Sequence, residues 1–467
     1  MKRILSLVLT LALVLALGIT AAGCASTGNN EEEGGGKYSD KIPGGVGDVS
    51  EEVLAALTES GTITVYSACT GGDRTADTVA GRWWNEFFTY YEEVYNGTVD
   101  VILDVEWEGW ESKFITDFAG NDAPDLIYAF EKNWPKLANR GMIFSVNEMK
   151  EAGVVGFDHP YLTEDLDQVA PTYTYKGELY TFAKNMAEPD MVFVNESLFK
   201  QYNVKSPLEY YNEGTWNWTN FEKCITELTR DTDMDEVNDV FGYMGWDANF
   251  VVTAAGGRII TLKDDGALEV TMDTIEAMQG FENVHRIYGT LGAATELSGQ
   301  TEFAKGKTGM IAYMPRNMYG YMFGINGFDK LTFDCVMLPF PLDDRTNKEN
   351  IRSGKSYSWV VSSTSQNAQG CINYMIAYNA FFKENPRENE REYLMDVHFS
   401  KEQQEMIDDC ARQMVVPIYQ GVGTLWSAQW DFWTNLKKSK TTVTEHIETY
   451  KPMFLQQVEL ENDSATH

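Results

Sequence analysis

The run Asp231-Thr232-Asp233-Met234-Asp235-Glu236-Val237-Asn238-Asp239 alternates carboxylates with other residues, a spacing that lets oxygens on a tight turn converge on one hard cation. Asp231, Asp233, Asp235 and Asp239 fall at positions 1, 3, 5 and 9 of an EF-hand-like loop, with the Val237 carbonyl at position 7. Two departures weigh against it. Glu236 stands where the turn-forming glycine belongs, and Gly242 where a bidentate Glu should close the cage. Two readings follow, a structural Ca2+ that stiffens a loop between helix and strand, or a solvated acidic loop. Hydrolytic machinery does not stand out, since neither G-x-S-x-G nor H-E-x-x-H occurs. Gly354-Lys355-Ser356 has the close of a phosphate-binding loop, but Glu349 occupies the place of its leading glycine. Among the 70 acids no pair is singled out by position as a glycosidase pair. The chain therefore reads as a non-enzyme that requires no cofactor. Aromatic residues make up 13% of it, and so many flat side chains need a large core or a flat ligand to face.

The charge balance narrows the partners. Against 37 Lys and Arg stand 70 Asp and Glu, a net of −33 that repels phosphate backbones and argues against nucleic acid. Six cysteines without a C-x-x-C and only five histidines argue against a zinc architecture. A chain of 467 residues with 43% hydrophobic content can build two or three substantial cores.

The N-terminus speaks to location. Lys2 and Arg3 precede an apolar run from Ile4 to Ile19, too short to span a bilayer comfortably and suited to a secretory signal. Ala21-Ala22-Gly23-Cys24 resembles the lipobox of bacterial lipoproteins, with Ala21 where Leu is usual. The alternative is an ordinary signal cleavage with an incidental cysteine. On the lipobox reading residues 1–23 are removed, Cys24 carries lipid, and the protein sits on the outer face of the bacterial cell membrane. Residues 24–60, with Glu31-Glu32-Glu33-Gly34-Gly35-Gly36, then form a flexible tether. The other five cysteines read as buried small hydrophobes, with one disulfide possible and no pair favoured.

The folded body starts near Gly61. Thr62 to Tyr66 alternates as a strand; Ala80, Trp83, Trp84, Phe87, Phe88, Tyr91, Val94 and Tyr95 recur at helical spacing. A strand at Val99 to Val105, a helix through Lys113 to Ala119 and a strand at Asp125 to Ala129 complete a βαβαβ unit with a parallel sheet. Further strands are expected at 178–182, 191–194 and 357–361, with an apolar helix from Ala368 to Phe382. Asn195 reads as an N-cap, and Thr219 with Glu222 and Ser400 with Gln403 read as capping boxes.

Several segments resemble extracellular family 1 solute-binding proteins, the maltose-binding-protein-like receptors of ABC importers. They are Phe118-Ala119-Gly120-Asn121-Asp122-Ala123-Pro124-Asp125-Leu126, Gly177 to Ala183 (with Ala183 for the usual Pro), and Val192 to Phe199. Gly214-Thr215-Trp216-Asn217-Trp218-Thr219-Asn220-Phe221 and Phe303 to Met310 complete the series, which runs in the family's order to about residue 315. The resemblance implies an α/β fold of two lobes with a hinge and an interlobe ligand cleft. Residues 61–185 and 354–400 would form lobe 1, and 186–353 and 401–467 lobe 2. It also implies capture of a mono- or oligosaccharide by lobe closure and delivery to a membrane permease, the receptor acting as a monomer. A surface glycan-binding lipoprotein or a glycosidase without a transporter is the alternative, and a non-sugar solute would also suit an aromatic, acidic cleft.

A sugar site wants aromatic platforms with amide, carboxylate and guanidinium groups at their edges. The candidates lie past predicted strand ends, in glycine-rich turns or at lobe crossings: Asp73, Arg74, Glu131, Trp134, Asn185, Trp246, Asp247, Tyr313, Arg316, Tyr357 and Trp359. For each Trp the plain alternative is burial in the core. Trp83, Trp84 and Trp110 are assigned there, and Trp216 to its turn.

Overall fold

The computed structural model describes residues 37–38, 41, 43, 49–70, 79–103, 105, 109–130, 133–164, 166–245, 248–263, 265–293, 299–325, 328–346, 352–386, 391–416, 425–438 and 440–464. The signal segment, Cys24 and most of the tether lie outside these residues. In chain order the strands are β1 (Gly61–Tyr66), β2 (Gly97–Ile102), β3 (Leu126–Phe130), the hairpin β4 (Thr174–Tyr175) and β5 (Glu178–Leu179), β6 (Lys184–Pro189) and β7 (Met191–Asn195). They continue with β8 (Phe241–Met244), the hairpin β9 (Ile260–Leu262) and β10 (Leu268–Val270), β11 (Thr308–Tyr313), β12 (Cys335–Pro339), β13 (Arg352–Val361) and β14 (Met414–Val415).

The N-terminal βαβαβ unit forms as its pattern requires. β1 runs parallel to β2 from Gly61 opposite Gly97 to Tyr66 opposite Ile102, and parallel to β3 through Val65 opposite Leu126. β13 adds antiparallel to β3 and also pairs with β6 and β14, giving the order β14-β13-β3-β1-β2 with β6 on β13. Helix Val79–Tyr95 packs its aromatic stripe against helix Ala368–Glu384: Trp83 meets Phe381 at 5.2 Å between ring centroids, Phe87 meets Tyr374 at 5.3 Å, and Tyr91 meets Tyr374 at 5.6 Å. Edge-to-face pairs of this kind add about 0.5–1.5 kcal/mol each beyond area burial.

A second sheet has the order β12-β7-β11-β8, with β7 antiparallel to both neighbours and β11 parallel to β8. Both its faces are covered, and the two-residue period of a strand sorts its side chains between them. Val192, Val194, Met310 and Ala312 face a core built with helices Trp218–Leu228, Ile275–Gly289, Leu425–Lys438 and Val443–Ser464. Met191, Phe193 and Ile311 face the other way, onto Met318, Tyr319, Leu394, Met395 and Phe399. Residues 391–400, expected with the first lobe, thus pack on the second sheet, where their apolar side chains complete the cover over Phe193 and Ile311.

Two local expectations change. Helix Trp218–Leu228 is capped by Asn217, whose side chain accepts the Asn220 amide at 3.0 Å, and not by Thr219. Trp218 is fully buried and its indole donates to Glu222 Oε1 at 2.9 Å, while Arg286 holds the other Glu222 oxygen, so Glu222 is not available to close a box on Thr219. The strand expected at 178–182 stops at Leu179, because Thr181 turns in to hydrogen-bond Ser358 and the Trp359 carbonyl. The Ser400–Gln403 capping box and the Asn195 N-cap form as read. Cys224, Cys335, Cys371 and Cys410 are free thiols.

The chain passes from the first sheet to the second through one residue, Asp190, between β6 and β7. It returns between β12 and β13, where buried Asp343 accepts both arms of Arg345 at 2.8 and 2.9 Å and the Asn283 amide at 2.8 Å. The Asp343 N–H donates to the Ala254 carbonyl at 3.0 Å, tying this crossing to helix Asn249–Ala254. Burial alone would raise the Asp343 pKa, but the hydrogen bonds from Arg345 and Asn283 outweigh it and hold the carboxyl below its ordinary 3.8. A carboxyl depressed in the folded state stabilises above its unfolded pKa and loses that contribution as pH falls through the folded value. Asp343→Asn should therefore lower stability at pH 7 by about 1.5–3 kcal/mol, the range for charged hydrogen bonds. Urea titrations at pH 7 and pH 3 should show the gap between variant and wild type shrinking in acid.

Candidate functional site

Ligands of parallel sheets sit outside the carboxyl ends of the strands, and here two such ends meet. Tyr357 lies opposite Phe130, the last residue of β3, and Trp359 opposite Tyr128. The Tyr128 and Tyr357 rings stack at 5.8 Å and 24°. From the second sheet, β11 ends at Tyr313, and Pro315 starts helix Pro315–Phe323 immediately beyond it. This turn brings the Arg316 guanidinium to 5.9 Å from the Tyr357 ring, within cation–π range. Arg316 is exposed and Tyr128 and Tyr357 half-buried, so guanidinium and stacked rings share one accessible surface built by both sheets, with half-buried Tyr313 at the end of β11. Burial raises the Tyr313 pKa, opposed by a hydrogen bond with Asn317, so the phenol keeps its proton at neutral pH.

Asn185 belongs to the same neighbourhood through its backbone. Lys184 pairs with Ser358 and Met186 with Tyr357, leaving Asn185 as the extra residue of a β-bulge beside Tyr357. Sequence reasoning missed Tyr128, which forms the stack, and the buried charged residues Glu188, Asp190 and Lys355 at the first crossing. Glu188 and Lys355 are register partners on β6 and β13. Both charges sit among polar residues, Lys184 and Asn185 on β6 and Arg352, Ser353 and Ser356 on β13, so no apolar context marked them for burial.

Two expected platforms are corrected. Trp134 is 0% exposed and packs on Tyr173 at 5.4 Å and Tyr180 at 6.0 Å, because its helix Trp134–Asn139 turns it inward. Trp359 is 2% exposed and lies 5.0 Å from Tyr128, supporting the stack from beneath. Asp73, Arg74, Glu131, Trp246 and Asp247 lie outside the described residues.

The acidic loop stands apart from this surface. Oxygens of Asp231, Asp233 and Asp239 lie within 4.8 Å of one another. Asp231 accepts the amides of Asp233 at 3.1 Å, Met234 at 2.7 Å and Glu236 at 2.8 Å, and Asp239 accepts the Thr232 amide at 2.8 Å. Glu236, at the position where an EF-hand-like loop has glycine, adopts φ 69°. These carboxylates bind the loop's own amides, and Asp235 accepts the Val237 amide at 2.8 Å. A cation there would use three clustered carboxylates and would draw its remaining oxygens from Asp235, the Val237 carbonyl and water.

Residues 75–378 match the family model for bacterial extracellular solute-binding protein. No match to a curated protein was found. Among solved structures, the ABC substrate-binding protein from Listeria monocytogenes in complex with cycloalternan is 16% identical, with a TM-score of 0.61 over 85% of this chain and 99% of that one. The Thermus thermophilus maltotriose binding protein bound with maltotriose is 16% identical, with a TM-score of 0.56 over 85% and 99%. UgpB from Mycobacterium tuberculosis in complex with glycerophosphocholine is 14% identical, with a TM-score of 0.62 over 86% and 99%. The likeness is one of fold, two α/β lobes about a cleft.

The burial of the two indoles has a measurable consequence. Trp359→Ala and Trp134→Ala should each cost about 3–5 kcal/mol of stability by leaving a cavity. Tyr357→Ala, at the half-buried surface, should cost clearly less in the same urea titration.

Proposed function

Because the chain belongs to the bacterial extracellular solute-binding proteins, we propose that it captures a mono- or oligosaccharide by lobe closure and delivers it to the permease of an ABC importer. The observation that carries this reading is the composite surface of Tyr128, Tyr357, Tyr313 and Arg316. Stacked phenol rings offer apolar faces to the C–H side of a sugar ring, while guanidinium and hydroxyl groups meet its edge. One lobe supplies the rings and the other Arg316, so a bound guest gains contacts from both only when the lobes are closed. Receptors of similar fold hold cycloalternan and maltotriose, which supports a saccharide, and another holds glycerophosphocholine. On this reading the receptor works as a monomer, tethered through lipidated Cys24, and releases its guest unaltered. Thermal-shift screening against saccharides of one to seven units tests it, since a guest that binds only the folded state must raise its melting temperature. Tyr357→Ala should weaken a hit by about tenfold or more, the loss of one aromatic platform. Product formation on prolonged incubation would favour a glycosidase instead.

The acidic loop fits a structural Ca2+ in the same scheme, supported by the three converging carboxylates and the left-handed turn at Glu236. Calcium should raise the melting temperature of the wild type and leave Asp231→Asn unchanged. Equal shifts in both would remove the ion from this loop.

A further inference from the structure

Among the described residues Arg258 is treated unlike the other half-buried arginines. Arg230 donates to the Glu227 and Leu228 carbonyls, and Arg352 Nη1 donates to the Phe340 carbonyl. Arg258 is also partly buried, yet among the described residues no carboxylate or carbonyl accepts from its guanidinium. Burial lowers its pKa, and no charge opposes that shift.

Its setting is a built one. Gly257 presses so closely on helix Ile275–Gly289 that a Cβ there would lie 2.6 Å from Ala277 Cα, which fixes the backbone leading into Arg258. Arg258 lines a small crevice, open to solvent, together with Asn249, Val252, Thr253 and Ile260. Val415 of β14 lines it as well, and β14 belongs to the first sheet whereas helix Asn249–Ala254 belongs to the second lobe's core. The same helix packs against β13, the strand that carries Tyr357. The crevice therefore lies where the two lobes meet.

We propose that this crevice is a subsite for an oxyanion carried by the captured solute, which makes the ligand an acidic saccharide bearing a carboxylate or a phosphate or sulfate ester. The inference rests on the solute-binding reading and narrows its substrate class. A planar guanidinium matches two oxygens of one anionic group at once. Asn249 and Thr253 add polar atoms, and Val252, Ile260 and Val415 exclude water, which strengthens a charge-assisted hydrogen bond.

Calorimetric titration of the full chain with uronate oligosaccharides, sugar phosphates, sugar sulfates and their neutral parents of equal length tests this. The expected result is tighter binding of one acidic class over its neutral parent. Arg258→Gln should then reduce affinity for that class by about ten- to a hundredfold while leaving the neutral parent unaffected. Arg258→Lys should restore part of the preference, and circular dichroism and urea midpoints should show both variants folded. The acidic class that responds identifies the oxyanion. If neutral saccharides bind and no acidic class is preferred, or if Arg258→Gln leaves acidic affinity within about twofold, the subsite is wrong and the solute-binding reading stands. If no saccharide binds the folded wild type, that reading fails and the subsite falls with it.

Discussion

One strand disciplines the whole molecule. β13 hydrogen-bonds to β14 through Arg352 and Ser353, to β6 from Gly354 to Ser358, and to β3 from Tyr357 to Val361. Among the described residues no other strand joins segments so distant in sequence. Its ladder fixes the end of β3 and the exit of β6 toward the second sheet, and it aligns Tyr357 with the last residue of β3. The register matters here, since a slip of one residue would carry Tyr357 and Trp359 together to the opposite face, away from Tyr128. The bulge at Asn185 lets β6 keep its pairing with β13 while its phase changes, so the strand enters the crossing with Glu188 opposite Lys355.

The second constraint is electrostatic. A net charge of −33 favours solubility and repels polyanions at long range, yet within the folded body several acids are drawn inside and matched individually. Asp343 is embraced by Arg345 and Asn283, and Glu222 by Trp218 and Arg286. Both sit at joints, the first at a lobe crossing and the second where helix Trp218–Leu228 meets helix Ile275–Gly289. Buried polar pairs of this kind add little net energy compared with an apolar contact, but their geometry is demanding and resists alternative packings.

Much of the fold was legible because local periodicity carries it. The βαβαβ unit, helix Ala368–Glu384 and the alternation of Met191 to Asn195 follow from hydrophobic spacing alone, and Ser400 and Asn195 cap as their side chains dictate. What escaped was set by contacts between distant segments. Asn217 displaced Thr219 as N-cap only because Trp218 is buried and Glu222 is claimed by Arg286. The second lobe's hold on residues 391–400 depends on an uncovered face of its sheet, which no window of sequence displays. The candidate site was legible in part. Arg316 and Tyr357 were placed by the rule that ligands gather past strand ends, and the structure brings them within 5.9 Å. The same rule overvalued Trp134 and Trp359, since a large indole near a strand end satisfies a core as readily as a cleft, and it passed over Tyr128, whose value appears only when β13 is laid beside β3.

The single residue between β6 and β7 has a mechanical meaning. Pro189 has a restricted φ and lacks an amide hydrogen, Met191 is already locked into its sheet, and Asp190 is itself held by its N–H to the Ser353 carbonyl at 2.8 Å. Very few torsions are thus left in that strap, and they lie close together. A relative movement of the two bodies would be steered like a door on a short pin, with swing permitted and slippage opposed. Lengthening the pin by one glycine would loosen the geometry in which Arg316 reaches Tyr357 without altering either side chain.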